Sequence, residues 1–196
     1  MVTKSRPAAI KRVYQLHVEL DEVEPPVWRR LWVPDTLTMA KLDRIIQTAM
    51  GWTNSHLHEF EVEAKRYGIP DDEEVHDTPT LDDRRHKVGA VLGMAISEFS
   101  YTYDFGDNWR HTVSIENRLL PDDSFNTWPV CIAGQNACPP EDVGGVGGYA
   151  EFLDAIADPS HDEHAAMWQW SGGPFDATGF DVNATNATNA ALRRLR

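Results

Sequence analysis

The feature that most constrains the fold is a pair of alternating segments separated by a short turn. Aromatic or apolar residues occupy every second position in Glu98–Asp104 and again in Trp109–Arg118. A period of two is typical of strands with one buried face. Residues 105–108 (FGDN) are turn formers, and Gly106 is expected to supply a positive φ. The pattern therefore predicts a β-hairpin, and with it an antiparallel sheet.

Two other segments, Val13–Leu20 and His56–Glu63, alternate in the same way, and Val27–Val33 is a further predicted strand. Val13–Leu20 and Val27–Val33 are separated by a Pro-Pro break, and Pro34 ends the second segment, so we expect the two to pair antiparallel. His56–Glu63 places His56 and His58 on one face, together with two apolar residues, and three glutamates on the other.

The helix signals are fewer but specific. Thr38 is placed as the N-cap of a helix that runs to Met50, and Gly51 is placed to end it. Four further helices are predicted at Val88–Met94, at Tyr149–Ala157, from a capping box at Ser160 to about Trp170, and at Asn183–Leu195. These elements predict a single α+β domain with a mostly antiparallel sheet packed by four to five helices, preceded by a basic tail at residues 1–11.

The charge distribution limits the classes of partner. Asp and Glu number 31 against 18 Lys and Arg, and seven of those 18 lie in residues 1–12 and 193–196. The body between these ends is strongly acidic, which disfavours direct binding to nucleic acid. Its acidic segment, residues 71–74 with Asp82 and Asp83, is expected to form a solvated loop. No apolar run approaches the length of a membrane span, and the first residues lack the apolar segment of a signal peptide. A cytoplasmic protein with no membrane contact is expected.

A loop rich in glycine and proline is the strongest local candidate for a site. Residues 131–149 read CIAGQNACPPEDVGGVGGY, a run that is expected to form neither a regular helix nor a strand. Glu141 and Asp142 follow two stiff prolines. The glycines lead into a predicted helix whose N-terminus would accept an anion, although the same glycines would equally suit close packing of the loop. The thiols Cys131 and Cys138 form either a pair without metal or part of a zinc site with histidine.

Two more segments carry groups able to bind a metal. His56 and His58 have the spacing at which two imidazoles converge on one ion, but they would also serve as hydrogen-bonded residues at the edge of the core. Asp104, Asp107 and His111 flank the hairpin turn. They are either a carboxylate–imidazole cluster or ordinary turn chemistry, in which aspartate side chains accept backbone hydrogen bonds.

The three segments HLHEF (His56–Phe60), YDFGDNWRH (Tyr103–His111) and CPPEDVGGVGGY (Cys138–Tyr149) occur in an order that resembles the plasmid pRiA4b ORF-3-like family. The start YQLHVELDEVEPPVWRR and the later PFDATGFDVN strengthen the resemblance, which covers residues 12–195. It implies one α+β domain carried by plasmids, transposon-like elements and bacterial chromosomes. It implies no catalytic residue set. The resolvase label of some members fits poorly, because recombinases need a basic DNA-binding surface.

Two functional hypotheses follow. The first is a non-catalytic interaction module that binds a protein partner or a small ligand, with Trp128, Trp168 and Trp170 as exposed contact residues. The second is a metal-assisted hydrolase, acting on a phosphoester, in which the three segments converge on a divalent ion. Its catalytic candidates are His58, Asp104, Asp107, His111, Glu141 and Asp142. Its candidate metal ligands are His56, His58, His111, Glu141 and Asp142.

Overall fold

The computed structural model describes residues 9–71, 78–121 and 130–189. Within them the chain forms eight strands and five helices. The strands are β1 (Val13–Leu20), β2 (Trp28–Pro34), β3 (His58–Val62), β4 (Lys65–Gly68), β5 (Leu81–Asp82), β6 (Glu98–Tyr103), β7 (Trp109–Leu119) and β8 (Val130–Gln135). The helices are α1 (Met39–Met50), α2 (Val88–Leu92), α3 (Gly145–Ala157), α4 (His164–Trp170) and α5 (Val182–Asn189).

All eight strands belong to one sheet in the order β5-β4-β3-β6-β7-β1-β2-β8. The predicted hairpin β6–β7 lies at its centre, and β1 pairs antiparallel with both β7 and β2. Only β4 and β5 run parallel among the described strands. The α+β class with a mostly antiparallel sheet is confirmed.

One face of the sheet carries the hydrophobic core. Leu16 and Val18 of β1 are fully buried, as are Leu42 and Ile46 of α1, the helix that packs against the sheet. Burying each such side chain stabilises the fold by about 1.5–3 kcal/mol. The opposite face of β1 bears the half-buried His17 and the exposed Glu19, so the alternation in the sequence reports which side meets solvent.

Helix α1 begins and ends where its sequence predicts. The Thr38 hydroxyl accepts a hydrogen bond from the backbone N–H of Lys41 at 3.3 Å. At the other end Gly51 has φ 108°, and its N–H donates to the carbonyl of Gln47 at 2.8 Å. A left-handed residue at this position favours glycine.

The cysteine-containing loop is more regular than predicted. Residues 130–135 form β8 against β2, and α3 begins at Gly145, four residues before the predicted start at Tyr149. The strand forms because residues 130–135 pair with β2, a partner about 100 residues away that the local sequence does not reveal. Strand β4 was likewise not predicted.

Three local expectations were wrong. Gly106 does not take the positive φ of the hairpin turn; Asp104 and Asn108 do, at 55° and 54°. The capping box at Ser160 does not form, because the Ser160 hydroxyl donates to Asp158 at 2.7 Å and α4 begins only at His164. Asp83, expected in a solvated acidic loop, is 1 % exposed.

Several predicted features fall outside the described residues. They are most of the acidic segment after Asp71, Trp128, and the end of the terminal helix beyond Asn189. No helix in the described part of the chain is long and apolar enough to cross a membrane.

Candidate functional site at the rim of the sheet

The three motif segments meet at one end of the β3–β6–β7 strands. One nitrogen of His56 and one carboxylate oxygen each of Asp104 and Asp142 lie within 4.8 Å of one another. The Nε2 atom of His56 is 3.1 Å from Oδ1 of Asp142 and 3.6 Å from Oδ2 of Asp104. We call these three residues the rim site. Each of them comes from a different segment.

The hairpin turn fixes Asp104 in the rim site. Its Oδ1 accepts the backbone N–H groups of Gly106 at 2.9 Å and Asp107 at 3.4 Å, as the turn-chemistry interpretation predicts. This arrangement leaves Oδ2 facing His56. One oxygen of Asp104 thus stabilises the turn, and the other lies near His56, so turn chemistry and a carboxylate–imidazole pair are compatible at this residue.

Asp107 lies outside the rim site and ties two of its segments together. Its Oδ2 accepts the backbone N–H of Gly144 at 3.1 Å. The turn and the glycine loop also touch through main chain, since a Cβ added to Gly145 would lie 2.5 Å from the carbonyl oxygen of Asp107. Gly144 and Gly145 thus allow the loop to pack closely against the hairpin turn, as one of the two interpretations of the glycines expects. This packing holds Asp142 near the hairpin.

Glu141 borders the rim site but is held by hydrogen bonds. Its Oε1 accepts from the Tyr103 hydroxyl at 2.5 Å and from the backbone N–H of Thr53 at 3.2 Å, and its Oε2 accepts from the Thr53 hydroxyl. Burial raises the pKa of Glu141, but the bonds from Thr53 and Tyr103 outweigh it and hold the pKa below its usual value. Glu141 therefore carries a negative charge beside the site at neutral pH.

His56 is the least satisfied member of the rim site. Within the described residues its Nε2 atom is shielded from solvent and has no hydrogen-bond partner of good geometry, although two carboxylates are close. Asp142 by contrast has a side chain that is 71 % exposed. Both Asp104 and Asp142 have left-handed backbone conformations, φ 55° and 59°. Such conformations carry a cost of about 1–3 kcal/mol and are enriched at functional sites.

His58 is not part of the rim site, although it is two residues from His56. It is buried with its Nε2 2.8 Å from Oδ2 of Asp83 and its Nδ1 3.3 Å from Oδ1 of Asp43. Asp43 also accepts from the Tyr101 hydroxyl at 2.6 Å. Burial raises the pKa of Asp43, and the neighbouring His58 opposes that rise. This cluster joins α1, β3 and the segment after β5.

His111 is also separate from the rim site. It is fully buried, its Nδ1 lies 3.2 Å from the carbonyl oxygen of Tyr101, and its ring meets the edge of Trp52 at 5.4 Å. Burial lowers its pKa to about 4, so the ring is neutral at neutral pH. His58 and His111 therefore do not share a cleft with Glu141.

The remaining candidates have simpler surroundings. Cys131 and Cys138 are free thiols. Burial raises the pKa of both, so neither is a thiolate at neutral pH. Trp168 and Trp170 on α4 are 43 % and 46 % exposed, as the interaction hypothesis expects.

A cleft of about 660 Å³ adjoins the rim site. It lies between the C-terminal end of α1, residues 137–141, and the segment from Phe175 to Thr188, and Glu141 forms part of its wall. The Trp52 indole N–H donates to the carbonyl of Pro139 at 3.1 Å and so joins two of these walls.

Four residues of these sites were missed by the sequence reasoning. Tyr103 and Thr53 bind Glu141, while Asp43 and Asp83 enclose His58. Asp43 had a detectable signal, because it is an acidic residue beside the apolar positions of a well-defined helix. For Thr53 and Asp83 the sequence carries no such signal, since their partners are distant along the chain.

The fold and the site together define a class of protein. It is a single-sheet α+β protein in which the segment before β3 with His56, the β6–β7 turn and the glycine-containing loop before α3 meet at one end of the sheet. The chain belongs to the plasmid pRiA4b ORF-3-like protein family, whose model matches residues 12–184. The protein y4hQ of Sinorhizobium fredii, described as uncharacterized, is 43% identical over 178 residues, which is 90% of this chain and 88% of y4hQ. The crystal structure of MM3350 from Methanosarcina mazei Go1, described as a protein of unknown function, has a TM-score of 0.81 and 35% identity, covering 90% of this chain and 98% of that one.

Proposed function

We propose that the chain is a binding module and that its rim site takes a divalent metal ion. One observation carries the proposal: one ligand atom from each of His56, Asp104 and Asp142 lies within 4.8 Å of the other two. Nitrogen and carboxylate ligands lie about 2.0–2.2 Å from an ion such as Zn²⁺, so the ligands of one ion are typically about 3–4 Å apart. The separations of 3.1 and 3.6 Å around His56 agree with that geometry.

The surroundings of the rim site support the same conclusion. The shielded Nε2 of His56 has no hydrogen bond within the described residues, and it offers a free lone pair in the neutral tautomer that carries its proton on Nδ1. The charge of Glu141 lies close by and adds attraction for a cation. A set of one imidazole and two carboxylates suits Mn²⁺, Fe²⁺ or Zn²⁺ better than Ca²⁺, which prefers oxygen alone.

Calorimetric titration of chelator-treated protein with Mn²⁺ and Zn²⁺ tests the proposal. We expect one ion per chain, and an affinity at least about tenfold weaker in His56→Gln and in Asp104→Asn. Asparagine at position 104 keeps the oxygen that accepts the turn hydrogen bonds and tolerates the left-handed backbone, so the variant isolates the loss of Oδ2. His161→Gln, at an exposed histidine outside the rim site, is the matched control. Equal affinity in all four proteins would reject the site.

Metal-assisted hydrolysis is the second candidate function. It is favoured by the number of ligands, because three protein ligands leave coordination positions open for water, and by the exposure of Asp142. The same protein samples, with and without Mn²⁺, are to be assayed on aryl phosphomonoesters and phosphodiesters. Turnover that needs the ion and is lost in Asp142→Asn would establish an enzyme. Metal binding without turnover would leave the binding module.

A further inference from the structure

We propose that the cleft beside the rim site binds a small organic amine with an apolar body. The cleft lies between the end of α1, residues 137–141 and the segment from Phe175 to Thr188, which includes most of α5, and we call it the amine cleft. Its volume of about 660 Å³ falls in the range of about 300–1,000 Å³ that is usual for small-molecule sites. The proposal concerns a second ligand and does not depend on metal at the rim site.

The walls of the amine cleft suit an apolar body. They include Met50 and Trp52 from the end of α1, Pro139 and Pro140 from the loop, and Phe180 from the segment before α5. Aromatic and aliphatic walls with a few polar groups are the usual lining of a small-molecule site.

The single cation among the described lining residues is not available to a ligand. Arg29 is 2 % exposed, and its guanidinium donates to the carbonyl oxygens of Trp28, Ala49, Gln135 and Asn136 at 2.8–2.9 Å. It also stacks over the ring of Phe180 at 4.3 Å. The bond to the Ala49 carbonyl places the positive charge of Arg29 at the negative, C-terminal end of the α1 helix dipole. The guanidinium is therefore not free to bind a ligand in the cleft.

The remaining charged groups of the lining are negative. Glu141 and Asp181 both line the cleft. Glu141 is fixed by Thr53 and Tyr103, and Asp181 accepts the N–H groups of Asn183 at 2.7 Å and Ala184 at 3.3 Å at the start of α5. Two negative charges in the lining, together with the apolar walls, favour a cation whose remainder is apolar. An anion would meet repulsion from both carboxylates and no free donor from Arg29.

Three probes of matched shape test this selection: 2-phenylethylamine, 2-phenylethanol and phenylacetate, which are cationic, neutral and anionic at pH 7. Binding is followed by NMR shifts of the indole N–H of Trp52 in chelator-treated protein. We expect the amine to bind at least about tenfold more tightly than phenylacetate, equivalent to about 1.4 kcal/mol, with 2-phenylethanol between them. Equal binding of all three probes, or no binding of any at millimolar concentration, would overturn the proposal.

Two variants locate the charge selection. Asp181→Asn keeps the one oxygen that accepts from Asn183 and Ala184, whereas Glu141→Gln keeps only one of the two oxygens that accept from Thr53 and Tyr103. We expect each variant to weaken amine binding about fivefold or more while leaving 2-phenylethanol unchanged. Asp158→Asn, at an exposed carboxylate outside the cleft, is the control. Undiminished amine binding in the Glu141/Asp181 double variant would contradict the assignment. The probe titrations use protein without metal, so they test amine binding alone. The calorimetric titrations test metal binding at the rim site, and either proposal can fail without the other.

Discussion

At the scale of single residues, His111 shows how burial sets protonation. The ring is fully enclosed, with Trp52 and Tyr101 in contact and a hydrogen bond to the carbonyl of Tyr101. Desolvation lowers its pKa to about 4, against 6.5 for the free side chain. The folded state therefore keeps His111 neutral while the unfolded chain takes up a proton below pH 6.5.

Because of this difference in pKa, the free energy of unfolding decreases as the pH is lowered from 6.5 towards 4. The contribution of His111 is fully present above pH 6.5 and is lost as the pH falls towards 4, because protons then bind the unfolded chain preferentially. From pH 7.5 to 5 we expect the wild type to lose about 2 kcal/mol more of its free energy of unfolding than His111→Phe loses. Urea titrations at the two pH values measure this. His161→Gln is the control and should behave as the wild type; a His111→Phe variant with the same pH dependence as wild type would refute the expectation.

At the scale of secondary-structure elements, α5 protects the edge of the sheet. Strand β8 is an outer strand, and its outward groups at Cys131 are paired by one side chain: the Asn186 amide donates to the Cys131 carbonyl at 2.7 Å and accepts from its N–H at 3.0 Å. The Asn186 amide thus makes the two backbone hydrogen bonds at Cys131 that a further strand would make. Exposed edges promote association between chains, so this cover has a protective role.

The Asn-Ala-Thr repeat provides a matched pair of variants for this element. Asn186→Ala removes both bonds to Cys131, and we expect it to destabilise the contact by about 1–3 kcal/mol. Asn183→Ala removes an exposed side chain one repeat earlier and should have little effect. Amide hydrogen exchange at Cys131 is the measurement, with faster exchange expected in Asn186→Ala alone. Equal exchange rates in the two variants would show that the Asn186 bonds do not protect the edge.

Elements with local signals were predictable, and elements that depend on distant partners were not. The β6–β7 hairpin and α1 have their pattern, turn and caps within one segment, so sequence periodicity was sufficient. Strand β8 pairs with β2 and is bonded by Asn186, and both partners are distant in the sequence, so its own segment does not reveal the pairing. The same limit applies to the sites: three segments were identified, but which histidine faced Asp104 depended on where β3 begins.

At the scale of the whole molecule, one sheet and one cluster of buried side chains connect all parts of the described chain. The cluster includes residues of β1, α1, the β6–β7 hairpin and α3. Because these elements share one core, we expect unfolding in a single cooperative transition.

The proposed limits of the domain, residues 12–195, lead to a prediction about truncation. The backbone N–H of Lys11 bonds to Asp35 at 3.2 Å, and this contact is exposed. Deleting residues 1–11 should therefore lower the free energy of unfolding by about 1 kcal/mol or less and keep one transition.

Deleting residues 182–196 is the informative contrast, because it removes α5, uncovers the β8 edge at Cys131 and opens one wall of the amine cleft. We expect this deletion to cost several times more stability than the first and to promote association between chains. Denaturant titration and light scattering on both deletions measure the two effects. If the two deletions lowered the free energy of unfolding by similar amounts, the proposed domain limits would be wrong. Residues 1–11 would then contribute as much to stability as the helix that covers the sheet edge.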